Sequence, residues 1–180
     1  MLCQGHEGSK TVSDLFGLTM PLIPVRGYSL DILPKNYGDK LPLIEGVLRW
    51  NIDGDAYFLC AVKENSWRIV SYLDIAPGRN DFFDDSRITQ LKSAFNRTIG
   101  KGLSFDYTFE SPKSRCRPVT PDDIPIVGNL SSAKNVYIHN GMGGFGSVSL
   151  GTAKVLADVI ADDIFGTDSS AREKFNYLSP

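Results

Sequence analysis

The chain has 180 residues, 42% of them hydrophobic, and a formal net charge of −2, so it can bury at least one core and is not a disordered tail. This well-mixed charge argues against a basic surface for nucleic acid, and no stretch is long and apolar enough to predict a membrane span. Cys3, Cys60 and Cys116 are too widely spaced for a disulfide framework or a zinc site. We therefore expect an intracellular, cytoplasmic protein without a signal peptide and without a metal.

Residues 1–21 carry weak signals and are predicted to form a weakly structured lead-in with a short helix from Ser13. The pattern over residues 22–33 predicts a β-strand, in which Gly27 marks a bulge or a close approach to the backbone. Three further segments are predicted strands: residues 43–50, 56–63 and 67–73. The links between them are short enough for hairpins, which favours an antiparallel meander.

An amphipathic helix is predicted over residues 87–100, behind an acidic or hydroxyl cap. Ile88, Leu91 and Phe95 share one stripe, which we expect to cover one face of the meander. Residues 103–109 alternate between apolar and polar and return the chain to the sheet. The predicted fold class is therefore α+β, an antiparallel sheet with a covering helix over residues 22–114.

The next segment, residues 115–128, contains three prolines within eight residues. Prolines fix the backbone without ladder hydrogen bonds, so we expect a stiff crossing that holds a side chain in place. Arg117 stands at its head, and a guanidinium can grip a carboxylate through two parallel hydrogen bonds. On spacing alone, a surface or salt-bridge role for Arg117 is equally consistent.

The strongest chemical signal lies in residues 135–166. An apolar strand over residues 135–140 leads into the glycine-rich turn Gly141–Gly146, and a helix then runs to about Phe165, with Gly166 as a left-handed stop. The first amides of a helix have no backbone partner, so such a turn can contact a phosphate or a flavin. No second strand follows as a dinucleotide-binding unit requires, and a tight turn without a ligand remains the alternative.

The periodicity of this last helix predicts which side is buried. One stripe is apolar, and a second stripe on the opposite side is charged. The apolar stripe consists of Val148, Val155, Leu156, Val159, Ile160 and Ile164, and the charged one of Lys154, Asp158 and Asp162.

Three motifs stand in a characteristic order: Val-Arg-Gly-Tyr-Ser-Leu at residues 25–30, the Arg-Pro segment at 117–128, and the strand that enters the glycine turn and continues to Gly-Thr-Ala at 151–153. In order and spacing they resemble the C-terminal part of FAD-dependent D-amino-acid dehydrogenases and oxidases, the family that includes glycine oxidase and sarcosine oxidase. The resemblance extends over nearly the whole chain.

The resemblance implies a flavoenzyme that takes a hydride from the α-carbon of a D-amino acid or a related amine. The resulting imine hydrolyses to a 2-oxo acid and an amine. Catalysis in such an enzyme is mostly orientation, so no catalytic side chain is expected. Arg117 corresponds to the carboxylate-binding arginine, and Tyr28 to a substrate-binding residue at the entry to the substrate domain. The turn residues correspond to the flavin contacts: Gly141, Met142, Gly143, Gly144, Phe145 and Gly146.

The resemblance also implies a division of the chain. Residues 22–114 would form the substrate-binding domain, residues 115–166 the crossing and the strand–turn–helix of an incomplete FAD-binding domain, and residues 167–180 a C-terminal tail. The family binds the ADP half of FAD on an N-terminal Rossmann unit, which the sequence before residue 22 does not contain. We therefore expect a missing N-terminal FAD-binding half or a partner chain to complete the site, and an isolated chain to be inactive.

Two alternatives remain open from the sequence. The first is a non-catalytic family remnant or subunit that binds a partner chain or a small carboxylate. The second is an unrelated α+β module with an anion site at the glycine turn.

Overall fold

The computed structural model describes residues 1–76, 83–130, 132–143 and 146–166. The predicted tail over residues 167–180 lies outside the described residues, as do Gly144 and Phe145. Short 3-10 turns lie at Gly5–Glu7 and Gly100–Gly102. In chain order the helices and strands are α1 (Gly8–Phe16), β1 (Ile23–Pro34), β2 (Val47–Ile52), β3 (Asp55–Lys63), β4 (Ser66–Ile75), α2 (Asp85–Arg97), β5 (Tyr107–Val119), β6 (Ile126–Asn129), β7 (Tyr137–Asn140) and α3 (Gly146–Phe165).

The chain divides into two compact units. The first unit comprises the described residues of Met1–Val25, Ile75–Gly78 and Cys116–Pro180. The second unit comprises the described residues of Arg26–Asp74 and Arg79–Arg115. Strands β1 and β5 each pass along the chain from one unit into the other.

The second unit is built on a five-stranded sheet with the order β2-β3-β4-β1-β5. Strands β2, β3 and β4 form the predicted antiparallel meander, with Arg49 opposite Phe58 and Phe58 opposite Val70. Asp53 and Asn65 occupy the two hairpin turns with φ of 53° and 58°, a left-handed conformation that short-chain polar residues tolerate. The α+β fold class predicted from the sequence is confirmed.

Helix α2 covers one face of this sheet. Asp84 caps its start by accepting a hydrogen bond from the backbone N–H of Ser86 (2.9 Å). The predicted stripe is buried, with Leu91 and Phe95 both at 0% exposure. It packs on alternate residues of the strands, among them Tyr28, Leu30, Ile32, Leu59 and Ile69. Burial of this apolar surface is the main stabilisation of the second unit.

The first unit contains the two-stranded antiparallel sheet of β6 and β7, with helix α3 packed on it. Leu156 and Val159 of α3 form a small core with Val127 and Tyr137. Both predicted faces of α3 are partly wrong, because Asp162 is only 7% exposed, whereas Val148 and Ile164 are 38% and 66% exposed. Helix α3 ends at Gly166, whose φ of 67° is the predicted left-handed stop.

Two segments are more ordered than the sequence indicated. Within the predicted lead-in, helix α1 begins at Gly8 rather than at Ser13, buries Val12, and ends where Gly17 turns left-handed with φ 66°. Strand β5 continues through residues 115–119, so the first part of the predicted unpaired crossing is a strand. Pro118 is accommodated there because proline lacks only the donor and keeps its carbonyl acceptor. Among the described residues, no helix is both long and apolar enough to cross a membrane.

Candidate functional site

The glycine-rich turn between β7 and α3 is shaped by close contacts that exclude side chains. Gly141 and Gly143 have φ of 75° and 52°, the left-handed region that glycine enters without strain. A Cβ on Gly141 would lie 2.7 Å from Cγ2 of Thr120, and one on Gly143 would lie 3.3 Å from Oδ1 of Asp123. The turn therefore requires glycine at both positions, and helix α3 begins directly after it, at Gly146.

The end of strand β5 lies against this turn. The N–H of Gly143 donates a hydrogen bond to the carbonyl of Pro118 (2.9 Å), and Val119 forms an isolated antiparallel bridge with Met142. Arg117, the predicted carboxylate-binding residue, directly precedes Pro118. The structure thus brings two of the predicted site segments together within the first unit.

The guanidinium of Arg117 differs from two other arginines of the chain in its ion pairing within the described residues. Its side chain is partly buried, and no carboxylate of the described residues forms an ion pair with it. By contrast, Arg68 and Arg87 are each held by an aspartate through two hydrogen bonds. A guanidinium without such a partner keeps its full set of donors for an external carboxylate.

The segment after Arg117 is held by hydrogen bonds to its own backbone. The buried Thr120 hydroxyl donates to the carbonyl of Ile124 (2.8 Å), and the N–H of Asp123 donates to the carbonyl of Thr120 (3.1 Å). The N–H of Ile124 donates to the Asp122 carboxylate (3.1 Å). These turn-type bonds stiffen the backbone beside the glycine turn without a strand partner.

A second strand–glycine–helix turn lies beside the first. Leu2 forms a parallel bridge with Ile138 of β7, donating its N–H to the carbonyl of Tyr137 (2.7 Å) and accepting from the N–H of His139 (3.0 Å). The chain then turns at Gly5, with φ 61°, and enters helix α1. The isolated bridge at Leu2 and strand β7 therefore each lead through a left-handed glycine towards a helix.

Asn140 joins the two turns. Its side chain is 3% exposed, donates through Nδ2 to the carbonyl of Gly5 (2.8 Å), and accepts through Oδ1 from the N–H of Gly141 (2.8 Å). Sequence reasoning missed residues 2–8 because a single bridged residue, Leu2, has no periodicity. The available signal was Gly5 and Gly8 directly before an amphipathic helix.

His139 connects strand β7 to the first turns of α3. Its Nε2 lies 3.0 Å from the hydroxyl of Thr152, which in turn donates to the carbonyl of Val148 (2.8 Å). Because that hydroxyl proton is used, Nε2–H of His139 is the donor to Thr152. Burial lowers the pKa of His139, opposed by a backbone hydrogen bond with Ser149, so the neutral ring is favoured.

The remaining predicted residues lie in apolar surroundings. Tyr28 is in the second unit, 2% exposed, with its ring edge-on to Tyr72 (6.3 Å between centroids) and Phe83 (6.2 Å). Its substrate-binding role stays a prediction. Met142 packs its side chain against the Val127 cluster of the first unit, so only its backbone faces the turn. The described residues contain no group of three or more acidic, histidine or cysteine side chains that could hold a metal.

Comparison with known proteins identifies the class. Residues 1–159 match the family model described as FAD dependent oxidoreductase. Solved structures share the fold: iminodiacetate oxidase from Chelativorans sp. BNC1 aligns over 98% of this chain and 44% of its own, with a TM-score of 0.71 and 20% identity. Glycine oxidase from Geobacillus kaustophilus aligns over 87% and 39%, with a TM-score of 0.65 and 17% identity. The chain belongs to the FAD-dependent oxidoreductase family.

The chain is also similar to curated D-amino acid dehydrogenases. The chain is similar to D-amino acid dehydrogenase of Neisseria meningitidis serogroup C (strain 053442), with 30% identity over 166 residues, 91% of this chain and 36% of that protein. It is also similar to D-amino acid dehydrogenase 2 of Pseudomonas aeruginosa, with 29% identity over 161 residues, 89% of this chain and 36% of that protein. The chain thus spans about a third of the length of these relatives.

The described part of the glycine turn fits the family's cofactor. The N–H groups of Gly141 and Gly143 are bonded within the protein, to Asn140 and Pro118, whereas the helix that follows begins with amides that lack an intrahelical partner. Such amides stabilise negative charge, which a flavin ring acquires on its pyrimidine side when it is reduced.

Proposed function

We propose that this chain forms the substrate domain and the flavin-contact turn of an FAD-dependent oxidoreductase that oxidises D-amino acids or related amines. The observation that carries the proposal is the pair of neighbouring left-handed glycine turns at Gly5 and Gly141, each followed by a helix, with Arg117 beside the second one. The names of the curated relatives support D-amino acids as the substrate class.

Arg117 is the residue that holds the substrate. Its guanidinium binds the α-carboxylate through two parallel hydrogen bonds, which fixes the rotation of the substrate as well as its position. Tyr28 is assigned to substrate binding on the family resemblance. FAD, when bound, supplies the hydride acceptor. The protein's contribution to rate is then orientation of the α-carbon, for which no protein base is needed.

The glycine turn holds the flavin ring in place. The contact is assigned to the turn residues Gly141, Met142, Gly143, Gly144, Phe145 and Gly146. Because the N–H groups of Gly141 and Gly143 are bonded to Asn140 and Pro118, the amides that face the flavin are assigned to the end of the turn and the start of α3. The ADP half of the cofactor is assigned to an N-terminal FAD-binding half or to a partner chain, an assignment supported by the 36% of the relatives' length that this chain spans. An isolated chain is then expected to bind FAD weakly and to be inactive.

The first test is the visible absorbance of the purified chain with FAD, alone and together with the N-terminal FAD-binding part of a D-amino acid dehydrogenase. Flavin retained by the reconstituted pair and bleached anaerobically by a D-amino acid supports the proposal. Retained flavin that no D-amino acid or secondary amine bleaches favours a non-catalytic subunit. Failure of the pair to retain flavin contradicts the cofactor assignment.

Substitution of Arg117 by lysine tests the substrate grip. One ammonium cannot reproduce two parallel bonds, so the D-amino acid concentration needed for half-maximal bleaching should rise about tenfold or more. Flavin retention should not change. The matched control is Arg115→Lys, because Arg115 is exposed and bonds only the carbonyl of Ser114. Equal effects of the two substitutions would remove Arg117 from the site.

A further inference from the structure

The second unit contains a cavity that shares no residue with the proposed flavin and substrate site. Its volume is about 950 Å³, and it lies between residues 33–44 and the β3–β4 hairpin, residues 61–67. Ligand pockets for small organic molecules typically measure roughly 300–1,000 Å³. The cavity is therefore large enough for such a molecule.

The walls of the cavity are held together by side-chain hydrogen bonds. Asn65, at the tip of the hairpin, accepts from the N–H of Leu41 (2.7 Å) and donates to the carbonyl of Asp39 (2.9 Å). The indole N–H of Trp67 donates to the carbonyl of Pro42 (3.1 Å). Both ends of one amide are used to clamp a loop that is 24 or more residues away in sequence. The site is thus preformed, which lowers the ordering cost of binding.

The lining combines apolar surface with cations. Tyr37 is fully exposed and Leu43 is 82% exposed, although both lie on a short loop where polar residues are usual. Lys35, Lys40 and Lys63 also line the cavity.

None of these three lysines forms an ion pair with a carboxylate of the residues that the structure describes, whereas Lys10, Lys113 and Lys154 each do. A hydrogen bond from Arg68 lowers the pKa of the Asp31 carboxyl, and Lys63 is near enough to help lower it. Asp39 and Glu64 are the two acids of the lining, so its formal charge is positive. Unpaired ammonium groups beside apolar surface complement a ligand that is anionic at one end and apolar at the other.

We propose that this cavity binds an amphipathic organic anion. Its apolar body would lie against Tyr37 and Leu43, and its carboxylate or phosphate head would lie among Lys35, Lys40 and Lys63. The proposal is independent of the flavin site, because the two sites share no residue.

The test uses the full chain and three naphthalene probes of equal size: 2-naphthoate, 2-naphthyl phosphate and the uncharged 2-naphthamide. Binding is followed in the two-dimensional ¹H–¹⁵N spectrum at low salt, through the Asn65 side-chain amide and the Trp67 indole N–H. Trp50 serves as an internal reference. We expect saturable shifts of the first two signals, with the amide probe at least tenfold weaker than the better anion. The tighter anion identifies the preferred head group.

Two matched substitutions separate charge from apolar contact. Exchange of Lys35, Lys40 and Lys63 for glutamine should weaken the better anion about tenfold. The control variant exchanges three other exposed lysines for glutamine: Lys101, Lys134 and Lys154. Both triple variants then have the same net charge. Leu43→Ser should weaken all three probes, whereas Leu73→Ser should not; Leu73 lies on β4 and is 69% exposed.

Several results would overturn the proposal. Unmoved Asn65 and Trp67 signals at millimolar probe would exclude binding at this cavity. Equal affinity for the amide and the anions, or equal effects of the two lysine triples, would exclude recognition of charge.

Discussion

The two units of the chain are stabilised in different ways: the second by one continuous apolar cluster, the first by smaller apolar clusters together with hydrogen bonds that join distant backbone segments. In the second unit, twelve buried side chains form one cluster between the sheet and helix α2. In the first unit, the apolar side chains divide into two clusters of four and three buried residues. The smaller clusters bury less apolar surface and so contribute less free energy.

The polar contacts of the first unit cover long distances in sequence. Asn140 and Gly5 are 135 residues apart, and the Pro118 carbonyl meets Gly143 directly. A turn defined by such contacts can place bare backbone amides beside a ligand, which a packed apolar core cannot do. The second unit therefore has a core that depends on many residues, whereas the shape of the glycine turn in the first unit depends on few.

The largest expected effect is on the core of the second unit. Phe95→Ala removes a fully buried ring that lies edge-on to Tyr107 and Phe109, so the unfolding free energy should fall by about 3–5 kcal/mol. Urea unfolding followed by tryptophan fluorescence measures this, because both tryptophans, Trp50 and Trp67, lie in the second unit.

Phe58→Ala is the control for this substitution. Phe58 is 39% exposed on the opposite face of the sheet, and we expect a loss of less than about 1 kcal/mol. Hydrogen exchange of the β7 amides reports the first unit separately. If Phe95→Ala lowers the protection of the β7 amides as much as it lowers the stability of the second unit, the two units unfold together. That result would contradict the proposed difference in how the units are stabilised.

The next effect concerns the glycine turn. Gly141→Ala adds a methyl group 2.7 Å from Thr120 at a φ of 75°, so it carries both backbone strain and a steric clash. Gly17→Ala is the control, because Gly17 has φ 66° and open space around it. Strain alone should cost about 1–2 kcal/mol, and the clash about 1–3 kcal/mol more.

The measurement is hydrogen exchange of β7 and α3 for Gly141→Ala and of α1 for Gly17→Ala. A loss for Gly141→Ala no larger than that for Gly17→Ala would contradict the close packing of Thr120 on the turn. It would also leave room for a side chain where the flavin contact is proposed.

The sequence predicts the second unit better than the first, for a physical reason. Helix α2 and the strands β2, β3 and β4 each carry their own periodicity, and the turn residues Asp53 and Asn65 mark the hairpins between them. Local pattern and tertiary packing agree there, because one apolar face per element is enough to determine which side is buried.

The first unit depends on partners that the local sequence does not reveal. Residues 2–8 look like a frayed lead-in until Leu2 is placed beside Ile138, and Asp162 looks exposed by period although it is buried. The sequence shows the glycines of the turn, but it does not show why residue 141 must be glycine. The methyl group of Thr120 occupies the space that a side chain at residue 141 would need. Long-range contacts of single residues leave no periodic signal.

Asn140 gives a smaller effect than Gly141. Asn140→Ala removes two hydrogen bonds and leaves the Gly5 carbonyl and the Gly141 N–H without these partners, at a cost of about 1–3 kcal/mol. Amides of residues 2–8 should exchange faster, while those of α2 should not change. Asn36→Ala is the control, because its single bond to Asp39 is exposed. Unchanged exchange in residues 2–8 would show that Asn140 does not hold the second turn.

The smallest effect is a pH dependence confined to the first unit, which contains both histidines, His6 and His139. Burial lowers the folded-state pKa of His139 below its usual 6.5. As the pH falls below that value, the unfolded chain takes up a proton that the folded ring does not, so stability decreases until the folded pKa is reached.

His139→Gln should remove this slope, because glutamine can still donate to the hydroxyl of Thr152 but does not titrate. The measurement is the protection of β7 and α3 amides, corrected for intrinsic exchange, between about pH 8 and about pH 5. Tryptophan-detected unfolding of the second unit should show no change of slope with this substitution. A slope that persists in the β7 amides of the variant would assign the pH dependence to other groups of the first unit. Loss of the slope in both units would instead show that the units are coupled, and that the polar network around the glycine turn also stabilises the core of the second unit.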